Sequence, residues 1–380
     1  MNIRGRRAFI TLTALALAIV LAGCIPSGAM SNPGWTVVAA TEEAVYSALP
    51  TGQVVALDAA QGAPLWAYPA PSAGGGGIGS IFSRQQEAAD RPLDGVYGVP
   101  ALTENLVLIS SYDHHLYAFD RATGEVVWSF TAEEGIVGGV TVFDGVAYFG
   151  ASDYRVYAVD VATGEPAWEA PFETENWVWG APAVDEERVY VGSMDHSVYA
   201  LDRQTGGLVW QQELGGSIPG AVTLADGVLY VGSVDNALYA LDAADGSEVW
   251  SASLGDWVWG EVVVEDGYVY ATSLDGKVHG LDVTDGSPRW PAIALDSALR
   301  AGPALQDGHL IVGGESGKVY RIDVQAGAAQ EVATTQGAVL SKPAVVGDMV
   351  YVGTTLGNVV ALNTELGGDP TVWIYPPAER

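Results

Sequence analysis

From about residue 35 to the C-terminus the chain is built of short runs rich in Val, Tyr, Leu and Ile, each ended by a polar turn. Asp-Gly pairs such as Asp144-Gly145, Asp226-Gly227 and Asp266-Gly267 separate neighbouring runs. Short β-branched and aromatic runs joined by Asp-Gly predict strands connected as hairpins. The clearest copy, residues 181–210, reads APAVDEERVYVGSMDHSVYALDRQTGGLVW and holds four such runs. Each copy therefore predicts a four-stranded antiparallel meander.

The copies recur at a near-constant step. The residue ending each "VYALD" element falls at Asp58, Asp120, Asp160, Asp202, Asp242, Asp282, Asp323 and Asn363, with steps of 62, 40, 42, 40, 40, 41 and 40. A glycine follows each by four residues, from Gly62 to Gly367. Four residues after six of these glycines stands a tryptophan: Trp66, Trp128, Trp168, Trp210, Trp250 and Trp290. Unit seven carries Glu331 there, and unit eight places Trp373 two residues late. In the third turn the Asp carboxylate is expected to accept backbone N–H bonds while Gly supplies a positive φ. The tryptophan is expected on the outermost strand, filling the gap between one twisted sheet and the next. A sheet apolar on both faces must stack on its neighbours, and a closed ring removes the unburied ends. Eight units of about 40 residues predict an all-β fold: an eight-bladed β-propeller of four-stranded antiparallel blades over residues 35–376.

The motif "G-x-P-A-V…V-Y-V-G-S-x-D…V-Y-A-L-D-x-x-T-G…W" resembles the PQQ-like propeller repeat of the BamB-type outer-membrane assembly lipoproteins, over Trp35 to Tyr375. It lacks the Gly-His and Trp-Asp pairs of WD40 units. The resemblance implies a non-enzymatic scaffold that binds other proteins, among them β-barrel assembly components. It also raises a quinoprotein dehydrogenase holding PQQ and calcium, but the adjacent cysteines usual in such enzymes are missing from this sequence. Nucleophile elbow, metal-binding His-Glu helix and phosphate loop are missing as well. We therefore expect no catalytic residues, no metal and no cofactor. A sensor or a solute- or glycan-binding propeller is the reading from a third class, since one scaffold hosts many functions.

Composition bears on the partner and the address. The 380 residues are 49% hydrophobic and 16% charged, enough to bury a large core. Forty-six acids face 16 bases, a formal charge of −30, so nucleic acid and anionic lipid headgroups would be repelled. Residues 1–23 join Arg4, Arg6 and Arg7 to an uncharged apolar run from Ala8 to Ala22, the form of a secretory signal peptide. That run falls short of the roughly 20 residues a membrane span needs. Leu21-Ala22-Gly23-Cys24 looks like a bacterial lipobox, which implies cleavage before Cys24 and lipidation of this single cysteine. Several acyl chains anchor stably where one does not. Residues 24–34 would then be a tether and 377–380 a tail. The expected location is extracytoplasmic, on the periplasmic side of an outer membrane or the outer face of the cytoplasmic membrane. The Arg6-Arg7 pair leaves general and twin-arginine export both open. Without the leader's three arginines, 13 bases face 46 acids, a net charge of −33. A monomer is expected.

With strands A to D running outward from the axis, the D–A and B–C connections share one rim. On it lies an insertion, residues 71–95, with Gly74 to Gly77 followed by a helix-compatible stretch from Ser80 to Asp90. It is expected to be either a surface loop or a lid or docking arm over that rim. One column on this rim reads Trp35, Tyr97, Val137, Trp179, Pro219, Trp259, Arg300 and Leu340. Two of its members belong to a repeated W-V-W-G, Trp177 to Gly180 and Trp257 to Gly260. Trp35, Tyr97, Trp177, Trp179, Trp257, Trp259 and Arg300 are the candidate binding rim; the alternative is that they plug the channel or pack between blades. The acids of the B–C turns, Asp113, Asp153, Asp195, Asp235 and Asp275, are expected to be turn-formers rather than metal ligands, although His114, His115 and His196 stand beside them. His279 replaces the usual strand tyrosine and is expected to be packed; His309 falls in a turn region.

Overall fold

The computed structural model describes residues 34–70, 91–366 and 369–376. Cys24, the expected signal peptide, the helix-compatible stretch from Ser80 to Asp90 and the C-terminal tail lie outside these residues. Among the described residues thirty-two strands, numbered β1 to β32 in chain order, form eight four-stranded antiparallel sheets arranged as an eight-bladed β-propeller. No helix occurs among the described residues.

Every blade is built from four consecutive strands. Blade one is β1 (Val37–Ala40), β2 (Ala44–Ala48), β3 (Val54–Asp58) and β4 (Pro64–Tyr68), and blade eight is β29 (Ala344–Val346), β30 (Met349–Gly353), β31 (Val359–Asn363) and β32 (Thr371–Tyr375). Among the described residues the first and last blades thus exchange no strand. The second and third strands are largely buried, the first is half-buried in most blades, and the fourth is largely exposed, as β8 (Val126–Thr131) and β16 (Leu208–Glu213) illustrate. The Asp-Gly hairpins take the two successive positive φ values of a type I′ turn: 49° and 76° at Asp144-Gly145, 48° and 77° at Asp226-Gly227. Those angles match the right-handed twist of the flanking strands, which is why this dipeptide was informative.

The C–D turn and the tryptophan form one interlocking device. Asp120 Oδ1 accepts from the backbone N–H of Ala122 and Thr123 and from the Thr123 hydroxyl, at 2.8–3.0 Å. Asp160 and Asp202 repeat this with Thr163 and Thr205, and these bonds hold all three carboxyls below their usual range. The turn glycine, Gly124 at φ 73°, presents a bare face on which the indole of Trp66 from the preceding blade lies. Trp66 Nε1 then donates to the carbonyl of Arg121, at 2.9 Å. The same bond runs from Trp128 to Val161, Trp168 to Arg203, Trp210 to Ala243, Trp250 to Val283 and Trp290 to Val324. A polar group on a buried ring needs such a partner, and here the partner is always in the next blade.

Three details differ from the sequence expectation. In blades three and six the outer strand shrinks to β12 (Phe172–Glu173) and β24 (Ile293–Ala294), because Pro166, Pro171, Pro288 and Pro291 interrupt the ladder. Trp168 and Trp290 therefore stand on bent segments rather than on a strand, yet make the same contact. Trp373, two residues late by spacing, still pairs with Ala361 and donates to the carbonyl of Ala59 at 3.0 Å, closing blade eight onto blade one. In blade seven the residue opposite the third strand at the tryptophan level is Gln330, not Glu331, because the bulge there sits between Val319 and Tyr320.

Candidate functional site

The rim column follows from a two-residue alternation. Ile136, Val178, Ile218, Val258, Leu299 and Val339, each immediately before a member of the column, are fully buried. Val178, Ile218, Val258 and Val339 sit where a Cβ on Gly150, Gly192, Gly232 or Gly313 of strand B would collide with them. Successive side chains of extended backbone point to opposite sides, so anchoring one residue in the blade core turns the next toward the rim. In both W-V-W-G motifs a buried valine separates two half-buried tryptophans.

The structure resolves the expected rim into three groups. Over blades one and two, Trp35 meets Tyr97 edge-on with centroids 5.0 Å apart, and its Nε1 donates to the Tyr97 carbonyl at 3.0 Å. Tyr112 stands 6.4 Å from Tyr97, whose phenol burial pushes up to about 12. On blade four, Trp177 and Trp179 stack at 4.9 Å with an 8° interplanar angle, and Trp179 Nε1 reaches the Ser152 hydroxyl of blade three at 3.3 Å. On blades six and seven the Arg300 guanidinium covers the Trp259 ring at 5.2 Å and pairs with Glu315 at 3.1 Å. The column's only cation is thus engaged within the rim. Trp257 is half-buried, Pro219 is buried, and Val137 and Leu340 complete the circle.

Tyr112 and Tyr154, exposed on B–C turns, were missed in the sequence. A signal existed for Tyr154: it holds a positive φ of 69° where other blades place Asn236, Gly276, Gly317 or Gly357, or a polar ring, His114 or His196. A large ring at a site that favours Gly or Asn is out of place as a turn-former.

The B–C acids have structural work. Asp153 Oδ1 accepts from the Arg155 N–H, while Oδ2 accepts from the Tyr157 hydroxyl at 2.5 Å and from the Glu133 N–H. Asp113 with Tyr117, Asp195 with Tyr199 and Asp235 with Tyr239 repeat the bond. Burial and the adjacent carboxylate push these phenols up, Tyr239 to about 12. In blade seven Asp296, from the D–A side, accepts from Tyr320 instead. Among the described residues no group of three or more metal-type ligands gathers. Of the insertion, residues 91–95 are tied down: Leu93 is buried and its N–H donates to Gly52 O, while Ser111 Oγ donates to Asp94 O.

In blade six His279 occupies the tyrosine position and bonds Ser273 Oγ at 3.1 Å, and Ser273 donates on to Asp275. Burial lowers the imidazole's pKa below its ordinary 6.5. The unfolded chain therefore takes up this proton at higher pH than the fold does. Stability from this group is complete above about pH 6.5 and is lost as pH falls from there toward the depressed folded value. We expect His279→Tyr, which restores the residue used in five of the other blades (Tyr117, Tyr157, Tyr199, Tyr239 and Tyr320), to flatten the fall of Tm between about pH 7 and 5. Equal slopes for the two proteins would remove His279 as the source.

The family model described as outer membrane protein assembly factor BamB matches residues 26–134, 78–192, 155–293 and 292–375. The chain belongs to the BamB family. Among solved structures, BamB from Moraxella catarrhalis is 21% identical with a TM-score of 0.69, covering 85% of this chain and 94% of that one. A computationally designed protein, Ika8, is 16% identical with a TM-score of 0.73 over 87% of this chain and 96% of its own. At these identities the two structures speak for the fold alone. No curated protein matches the sequence. The BamB-family propeller therefore shares its architecture with both structures.

Proposed function

We propose that this BamB-family propeller is a lipid-anchored, extracytoplasmic scaffold that captures a protein partner on its D–A/B–C rim and serves outer-membrane protein assembly. The observation that carries the reading is the stacked pair Trp177 and Trp179 with exposed Tyr154 and Tyr112 on neighbouring blades. Flat, half-buried rings held in place by the fold bury large area at small entropic cost, the property of binding hot spots. These rings stand apart from the indole-to-carbonyl seam locks, which use Trp66, Trp128, Trp168, Trp210, Trp250, Trp290 and Trp373. The acidic surface favours a partner with basic segments around an apolar contact. Family membership supports the assembly role, and the lipobox-like Leu21 to Cys24 supports anchoring.

Crosslinking and pull-down from membranes are expected to recover a β-barrel assembly component. Trp177→Ala with Trp179→Ala should weaken that capture about 30-fold or more, hot-spot truncations costing about 2 kcal/mol each, while Tm stays within a few degrees. Unchanged capture by a folded double variant would remove the rim from the interface. Saturable binding of a glycan to the same rings, with no protein recovered, would replace the scaffold reading by a solute-binding one.

A further inference from the structure

Seven seams of the ring are closed by a tryptophan, and the seam between blades seven and eight is closed differently. The cross-strand pair that reads Ala56–Trp66, Ala118–Trp128, Ala200–Trp210, Ala240–Trp250 and Ala361–Trp373 elsewhere becomes Arg321–Gln330 here. Bulk has moved from the outer strand to the third, and it carries a charge. Arg321 Nη2 crosses to Glu365 Oε1 of blade eight at 2.5 Å and lies 3.3 Å from His309 Nδ1. Its Nε is buried with no hydrogen-bond partner. Deeper in the seam Gln306, 3% exposed, donates to Gly347 O at 2.9 Å and accepts from the Thr364 hydroxyl at 2.8 Å. Outside it a groove of about 360 Å³ separates Glu331, Val332, Ala333 and Thr334 of β28 (Ala328–Thr334) from Asp369, Pro370 and Thr371.

The two kinds of closure respond to different variables. An indole lying on a glycine and bonded to a carbonyl excludes water, and salt screens it little. The Glu365 side chain is half exposed, so its attraction for Arg321 falls as the Debye length shrinks from roughly 10 Å toward roughly 3 Å. The unsatisfied Arg321 Nε adds a cost to the closed state that no other seam bears among the described residues.

We propose that the seam between blades seven and eight is a built-in, salt-sensitive opening point, where the outer strands β28 and β32 part before those of any other pair while the Gln306 bridge keeps the inner strands joined. Opening frees the edge of blade eight's buried face without unlocking the other seven seams.

Hydrogen exchange on the whole chain, read by mass spectrometry at about 0.05 M and about 1 M NaCl, tests this. Peptides covering 328–334 and 371–375 are expected to exchange about two to five times faster at high salt, the range an exposed ion pair supports. Peptides covering 126–131, 208–213 and 248–253, whose tryptophans lock their seams, are expected to stay constant. Arg321→Met, of similar length without the charge, should show the fast rate at both salts. The pair Arg321→Ala with Gln330→Trp, which installs the missing lock, should show the slow rate at both. A salt response equal around the ring, or its absence in the unaltered protein, overturns the proposal even where neither variant folds.

Discussion

Trp373→Ala is expected to open the ring and to destabilise it by about 3–5 kcal/mol, the cost of truncating a buried aromatic. Trp373 lies on Gly62, donates to Ala59 O, and packs with Tyr351, Val38, Val45 and Leu57 in the cluster joining blades eight and one. At every other seam a covalent D–A connection keeps the two blades together when their contact loosens. At this seam the described residues hold only non-covalent contacts, among them Thr36 Oγ1 to Thr354 O at 2.6 Å, Ser341 Oγ to Thr36 O at 2.9 Å, the Tyr351 hydroxyl to Ala59 O at 3.3 Å, and the tryptophan. Trp210→Ala, chemically the same change at a tethered seam, supplies the comparison. Both variants should lose stability, but Trp373→Ala should also bind a hydrophobic dye in the absence of denaturant, because two apolar blade faces become solvent-exposed together. Equal dye binding by the two variants would mean that, once its tryptophan is gone, the untethered seam is no weaker than a tethered one.

The second large effect is expected at the axis. Gly180 lies so close to the next blade that an added Cβ would meet the carbonyl oxygen of Gly220 at 1.9 Å. Gly138 against Trp179 O and Gly220 against Trp259 O continue the ring, at 2.3 Å and 2.1 Å. A methyl there presses on backbone that is itself pressed by the following blade, so no flexible group can yield. Gly180→Ala is expected to cost about 3 kcal/mol or more, the upper end of overpacking. Gly145→Ala is the contrasting control: at φ 76° with nothing within 4 Å of the new methyl, it pays only the left-handed backbone penalty of about 1–2 kcal/mol. Urea midpoints of the two variants decide between them; a smaller loss for Gly180→Ala would refute a tightly packed inner ring.

The fold was legible because its determinants repeat. Asp, Gly and Trp at fixed spacing state the turn, its reversal and its cap, and eight copies average out local exceptions. Where spacing misled, hydrogen-bond register had shifted: a displaced bulge put Gln330 where counting indicated Glu331, and a longer turn before Thr371 returned Trp373 to its place opposite Ala361. The rim residues were legible singly, since each stands beside a buried anchor. Their grouping was not, because whether Trp259 faces an arginine or Trp179 a serine depends on the adjacent blade. Tyr112 and Tyr154 escaped notice because the B–C turns were read for their acids. The charge substitution at Arg321 was hidden in a strand whose apolar alternation was otherwise intact.

The unbroken order of strands within each blade also divides the folding reaction in time. A blade's own pairings, and each tryptophan bond to the next blade across 33 to 55 residues, can form while the remainder of the chain is still unordered. Local contacts of this kind form quickly. Closure is of another order: Trp373 finds Ala59 across 314 residues and Thr36 finds Thr354 across 318. Until that last encounter the growing stack carries an apolar face at each end, and this is the interval in which two chains can join end to end instead of one chain closing on itself.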